Sequence, residues 1–247
     1  MTWALDLDGV VWLGDTPIPG SVVAIDGLRR AGHTVVFLTN NSSLTVAEYL
    51  AKLHGMGVKA TDDDLISSAQ AAAALLSAGS TALVCAGPGV EEALRSRGVV
   101  TVREGKADAV VVGWHRDFDY ARLTAAFDAV TGGASLIGTN DDATYPTPDG
   151  ALPGGGSILA AVAYATGVTP IVAGKPNEAM AAAVAERVGP VEVMVGDRPS
   201  TDGLMARRLG ARFALVLSGV TKPDELPVEP EPDIVADDLA SLVALST

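Results

Sequence analysis

Short apolar runs recur along this chain, and between them apolar residues fall at helical spacing. The runs at 3–7, 34–39, 82–87, 109–113, 135–138, 171–173, 191–195 and 213–217 read as buried strands. Helices are expected over 22–31, 45–55, 90–97, 120–130, 157–166 and 178–188, with another inside 62–78. Shorter helices fit 205–209 and 238–245. Gly32 lies just past the first helix, where a C-terminal cap belongs. Strands alternating with helices predict an α/β fold built on a parallel sheet. A second strand–helix series begins near Ala82, and the opening style returns near Ile171. Three stretches break the pattern. Residues 12–19 form a turn-rich flap with Gly14, Pro17 and Pro19. Residues 223–232 are a loop of Pro and Glu. Residues 139–156 are a polar loop of Asp, Thr, Pro and Gly, long for a plain connection.

Composition narrows the class. The 247 residues are 48% hydrophobic, with mean hydropathy +0.31. That suits one large domain, or a core domain carrying a smaller one. Net charge is −13, from 17 Lys and Arg against 30 Asp and Glu. The balance argues against nucleic acid or an acidic membrane as partner, although a few local cations can hold a small phosphate. Cys85 is the single cysteine, so no intrachain disulfide forms. The N-terminus shows no signal peptide, and no run reaches the ~18 apolar residues of a membrane span. A cytoplasmic protein is expected.

The candidate chemistry clusters at strand ends. Asp6-Leu7-Asp8-Gly9-Val10 closes the first apolar run. Side chains two apart on a strand share a face, so both acids can converge on one ligand. Thr39, Lys175 and Asp197 also fall at or just after strand ends, where open parallel sheets bind ligands. Asp6 is a candidate nucleophile and Asp8 a candidate acid/base. Asp197 can complete a magnesium site, since Mg²⁺ takes a few carboxylates together with water and substrate phosphate. Asp202 would support the metal or orient Lys175. Thr39-Asn40-Asn41-Ser42 offers a hydroxyl, amides and backbone N–H groups ahead of a helix, a cradle for phosphate. Phosphoryl transfer needs such a set, because charge spreads over the transferring oxygens.

The ordered motifs Asp-Leu-Asp-Gly-Val at 6–10, Leu-Thr-Asn-Asn at 38–41, Gly-Lys-Pro at 174–176 and Gly-Asp-Arg…Thr-Asp at 196–202 carry a resemblance. The chain resembles the haloacid dehalogenase-like phosphatases, in particular the branch with 4-nitrophenylphosphatases, phosphoglycolate or glycerol-phosphate phosphatases and pyridoxal phosphate phosphatase. The resemblance implies a Rossmann-like core over 1–80 and 173–247, with an α/β cap inserted at 81–172. It implies Asp6 as nucleophile, Asp8 as general acid/base, and magnesium held by Asp6, the Asp8 carbonyl and Asp197. Thr39, Asn40, Asn41 and Lys175 would grip the phosphate. Tyr145, in the loop Gly138-Thr139-Asn140-Asp141-Asp142-Ala143-Thr144-Tyr145-Pro146, falls where relatives place a substrate contact. Pro199 and Gly203 depart from the apolar residues common in the fourth motif. Asp141 and Asp142 add negative charge near the expected pocket and favour small or polyol-like leaving groups. The expected activity is magnesium-dependent hydrolysis of a small phosphomonoester, with pairing of two copies through their caps. The alternatives are a phosphometabolite-binding protein with little turnover and a dehalogenase; Asp8 and the metal acids argue against the latter.

Overall fold

The computed structural model describes residues 1–147 and 150–245. Residues 148–149 of the expected polar loop and 246–247 of the tail lie outside this set. The backbone is built on two parallel sheets.

The first sheet has six strands, in the order Ile234–Ala236, Arg212–Val216, Val193–Gly196, Thr2–Asp6, Thr34–Thr39 and Leu65–Ser67. Thr2–Asp6 is central. The chain leaves it toward Thr34–Thr39 on one side and later returns at Val193–Gly196 on the other. That reversal opens a crevice at the carboxyl ends of the strands. Asp6 and Thr39 end their strands, and Asp197 directly follows its own.

Both faces of this sheet are covered, which explains why its strands read as continuous apolar runs. Trp3, Leu5, Val35 and Phe37 pack with Ile25, Leu28, Leu239 and Leu242, from helices Ser21–Arg30 and Leu239–Leu245. Ala4, Val36 and Leu38 join a cluster on the other face. That cluster continues into the second sheet through Val84, Val111 and Ile137. The short helix Ser68–Ala73 packs on Pro88–Ser96 between them, and its buried alanines permit close approach.

The second sheet is parallel throughout, in the order Ile171–Val172, Ser135–Gly138, Ala109–Val112, Thr81–Cys85 and Val100–Val102. Leu83, Cys85, Val110 and Val112 form its other core with Ala126, Val130, Leu159 and Val162. These come from helices Tyr120–Thr131 and Gly155–Thr166.

The structure refines the sequence reading in several places. Ile171–Val172, the last residues of the expected cap, pair with Ser135–Gly138 in the second sheet, so Lys175 enters the crevice from outside the first. A short apolar strand carries no mark of which sheet it joins. The polar loop contains an antiparallel hairpin, Thr144–Thr147 with Gly150–Pro153, that sets Tyr145 opposite Leu152. A proline within Thr-Tyr-Pro-Thr obscures a strand, because it supplies no ladder donor. Leu65–Ser67, Val100–Val102 and Ile234–Ala236 are too short to show periodicity. The helix expected inside 62–78 is confined to Ser68–Ala73, its start set by a capping box between Ser67 and Gln70. The flap is a small ribbon of Trp12–Leu13 and Thr16–Pro17. Among the described residues no helix is long and apolar enough to cross a membrane.

Candidate active site

The turn after Thr2–Asp6 sets the first two acids. The Leu7 carbonyl accepts from the N–H groups of Val10, Val11 and Trp12, closing the chain into a tight loop. Gly9 sits at φ +87°, a left-handed conformation that side chains strain. The loop returns Trp12 to Asp8, and the indole Nε1 donates to Asp8 Oδ1 at 3.0 Å. Asp8 and Asp6 therefore diverge in setting despite sharing a strand end. Gly9 is needed for a second reason: a Cβ there would lie 2.2 Å from Asp197 Oδ2. Gly219 is bare on the same oxygen, where a Cβ would stand 1.8 Å away. Gly9→Ala is expected to cost about 1–3 kcal/mol from backbone strain alone and to displace Asp197. A lowered melting temperature checks this; an unchanged one would contradict it.

Lys175 is the electrostatic centre. It is 1% exposed. Its Nζ lies 2.8 Å from Asp6 Oδ1 and 2.7 Å from Asp202 Oδ1. Burial pulls its pKa down, but these two carboxylates outweigh that and hold it above the ordinary lysine value. Asp6 Oδ1 also accepts from Leu7 N at 2.8 Å. Asp202 Oδ2 accepts from Arg198 N at 3.1 Å, and Asp197 Oδ2 from Val220 N at 2.6 Å. Asp6 Oδ2 and Asp197 Oδ1 are left without a hydrogen bond among the described residues.

One lysine does not balance these acids. Asp6, Asp197 and Asp202 each offer an oxygen within 4.8 Å of the others. Burial, then the charge of Asp202, pushes Asp197 up to about 7. Burial likewise raises Asp6, against the pull of Lys175. Crowded carboxylates with raised pKa values and two open oxygens fit a hard divalent cation. Asp202, with both oxygens engaged, is the least available ligand of the three. Asp8 is also raised by burial, with the Trp12 hydrogen bond opposing.

The loop after Thr34–Thr39 faces Lys175. Thr39 Oγ1 accepts from Asn41 N at 3.1 Å, and Asn41 Oδ1 accepts from Ser43 N and Oγ. Asn40 lines the pocket, but its side chain is engaged with neighbouring residues. Its Oδ1 accepts from Lys175 N at 2.7 Å, and its Nδ2 donates to Lys175 O and Asp142 Oδ2, each at 3.1 Å. Its side chain clamps the lysine backbone. Asn140 Nδ2 donates to Asn40 O at 2.7 Å, and Ser42 Oγ meets Thr139 Oγ1 at 2.9 Å. These bonds tie the first sheet's loop to the loop that follows Ser135–Gly138.

A single pocket gathers Asp6, Asp8, Thr39, Asn40, Asn41, Tyr145, Lys175 and Asp197. Asp202 lies beneath it, fully buried. Asp142 lines the pocket while Asp141 is exposed, so only one of the two loop acids reaches it. Tyr145 stacks at 5.1 Å and 31° on Trp114, and burial, then Asp8, pushes its pKa up to about 12. Pro199–Gly203 forms a π-helical turn that carries Asp202 to Lys175. The sequence reading passed over Trp114 and gave no role to Arg198 and Asn140, which it quoted only as members of their motifs; all three also line the pocket. Trp114 had a signal: it comes just after the strand Ala109–Val112, as Asp197 comes just after its own.

Known proteins resemble this chain over nearly its whole length. The profile of haloacid dehalogenase-like hydrolases matches residues 3–100. A second, described as HAD-hydrolase-like, matches 172–242. The sugar-phosphatase AraL of Bacillus subtilis is 35% identical over 250 residues, covering 98% of this chain and 92% of that protein. The crystal structure of 4-nitrophenylphosphatase from Thermotoga maritima superposes with TM-score 0.91 at 33% identity, covering 98% of this chain and 96% of the other. The glycerol phosphate phosphatase of Mycobacterium tuberculosis, crystallised with magnesium, gives TM-score 0.90 at 35% identity, over 98% of this chain and 75% of the other.

Proposed function

The chain belongs to the haloacid dehalogenase-like hydrolases, and from there we propose that it is a magnesium-dependent phosphatase of small phosphomonoesters. One observation carries the reading: Lys175, buried between Asp6 and Asp202, sets a positive charge beside a carboxylate that keeps one oxygen open to the pocket. The names of the relatives support phosphomonoesters as the substrate class. Candidate substrates are glycerol phosphate, phosphoglycolate, sugar phosphates and nucleoside monophosphates.

In this reading Asp6 attacks phosphorus. The new oxygen–phosphorus bond makes an aspartyl-phosphate as the bond to the leaving oxygen breaks. Asp8 gives its proton to that oxygen; burial raises its pKa and favours the protonated form, against the Trp12 indole N–H, which donates to its Oδ1. Asp8 then takes a proton from water as the water attacks the aspartyl-phosphate, which releases phosphate and restores Asp6. Lys175 offsets the charge of the phosphoryl oxygens, and Thr39 and Asn41 line the same pocket. Asp6, Asp197 and the Asp8 carbonyl would hold Mg²⁺, which supplies charge neutralisation between the nucleophile and the phosphate. Asp202 orients Lys175. Asn40 acts through the lysine backbone it clamps.

Phosphate release from 4-nitrophenyl phosphate tests the proposal. Activity is expected with magnesium, lost with EDTA and restored by added Mg²⁺. No release from this ester or from any of the candidate metabolites would overturn the reading.

A further inference from the structure

Asp142 has a place in the pocket that phosphoryl chemistry does not use. Its backbone is pinned: its N–H donates to Asn140 Oδ1 at 3.2 Å, and its carbonyl accepts from Gly156 N at 2.9 Å. Gly154 is bare beneath that carbonyl, where a Cβ would stand 2.3 Å away. The carboxylate is held as well. Asp142 Oδ2 accepts from Asn40 Nδ2 at 3.1 Å, from the side chain that also grips both backbone groups of Lys175. The distance between this carboxylate and the phosphate-facing lysine is therefore set by one amide. Oδ1 has no hydrogen bond among the described residues, and Asp142 lines the same pocket as Asp6 and Asp8.

The rest of the pocket narrows what this oxygen can meet. Trp114 and Tyr145 give it an aromatic wall, and Trp114 Nε1 is fixed on Pro153 O at 3.0 Å. Its described lining holds the carboxylates Asp6, Asp8, Asp142 and Asp197 against the cations Lys175 and Arg198. An aromatic wall covers carbon, a carboxylate oxygen accepts from hydroxyls, and the charge of Asp142 itself disfavours a second carboxylate beside it.

We propose that Asp142 selects the leaving group, accepting a hydrogen bond from a hydroxyl of a neutral polyol or sugar and repelling a carboxylate in that position. This rests on the phosphatase reading above. It separates substrates that the reading leaves together, ranking glycerol phosphate and sugar phosphates above phosphoglycolate.

The test compares kcat/KM for glycerol 1-phosphate, 2-phosphoglycolate and 4-nitrophenyl phosphate in the wild type, Asp142→Asn and Asp142→Ala. In Asp142→Asn the new amide oxygen must accept from Asn40, so its NH₂ group faces the pocket and presents a donor in place of an anionic acceptor. The wild type is expected to favour glycerol 1-phosphate over 2-phosphoglycolate. In both variants that ratio is expected to fall at least about tenfold, mostly through KM. Glycerol 1-phosphate should lose more than 4-nitrophenyl phosphate, which carries no alkyl hydroxyl. The same fractional loss on all three esters would mark Asp142 as structural only and overturn the proposal, as would an unchanged ratio in whichever variant folds. A wild type that hydrolyses none of the esters would overturn the phosphatase reading itself, and the selection with it.

Discussion

Asp6→Asn abolishes phosphate release, by on the order of 10⁴-fold or more, and leaves the chain folded. The substitution keeps an acceptor for Leu7 N and Lys175 Nζ, the two groups that hold Oδ1. It removes the anionic oxygen that would attack phosphorus. It also removes one of three crowded acids, whose repulsion helps burial to hold Asp6 above its ordinary pKa. The melting temperature should therefore stay level or rise. Phosphate release from 4-nitrophenyl phosphate and a thermal melt, on one preparation, check both halves. A variant with wild-type turnover removes Asp6 from the nucleophile's role. An unfolded variant would show that the Asp6–Lys175 pair is primarily structural.

Lys175→Met gives the largest expected loss of stability. Asp202 is fully buried and Lys175 is its cationic partner. Methionine fills a similar volume but leaves Asp6, Asp197 and Asp202 within 4.8 Å of one another with no ammonium among them. Removing one partner of a buried ion pair costs about 3–5 kcal/mol. In a chain of this size that corresponds to a drop in melting temperature of roughly 6–20 °C. Magnesium should return part of it, since a cation that binds only the folded state stabilises it by mass action. Thermal unfolding with and without Mg²⁺ measures both effects. A melting temperature equal to the wild type's would mean that the acids tolerate one another unaided, and the charge argument for the site would fall.

The acids of the site were legible because each marks an abrupt change of pattern. Asp6 and Asp197 end or follow apolar runs, and a carboxylate there needs a partner. The nearby glycine, Gly9, is also readable, and the structure supplies its second reason: Asp197 Oδ2 occupies the space of its missing Cβ. Asn40 was visible as a residue but its job was not. An asparagine after a strand can face a ligand or clamp a neighbour, and only the approach of Lys175 from 135 residues away decides between them. Trp114 and Arg198 were given no role for a related reason. A single aromatic or arginine is ordinary until the fold sets it in a pocket beside Asp8 and Asp142.

What the sequence by itself determined is the parallel α/β class, the family and the acids at the carboxyl ends of the central strands. These depend on local order: apolar runs buried on both faces, glycine turns, and charges where the runs stop. What only the tertiary structure decided is which sheet each short strand joins, and therefore how Lys175 reaches Asp6. Ile171–Val172 pairs inside the second sheet, so the lysine that offsets the site's charge is delivered by the unit that also carries Trp114, Asp142 and Tyr145. Strand pairing depends on backbone hydrogen bonds, which are alike for every residue but proline. Two apolar residues therefore cannot announce their partner, and long-range packing makes the choice.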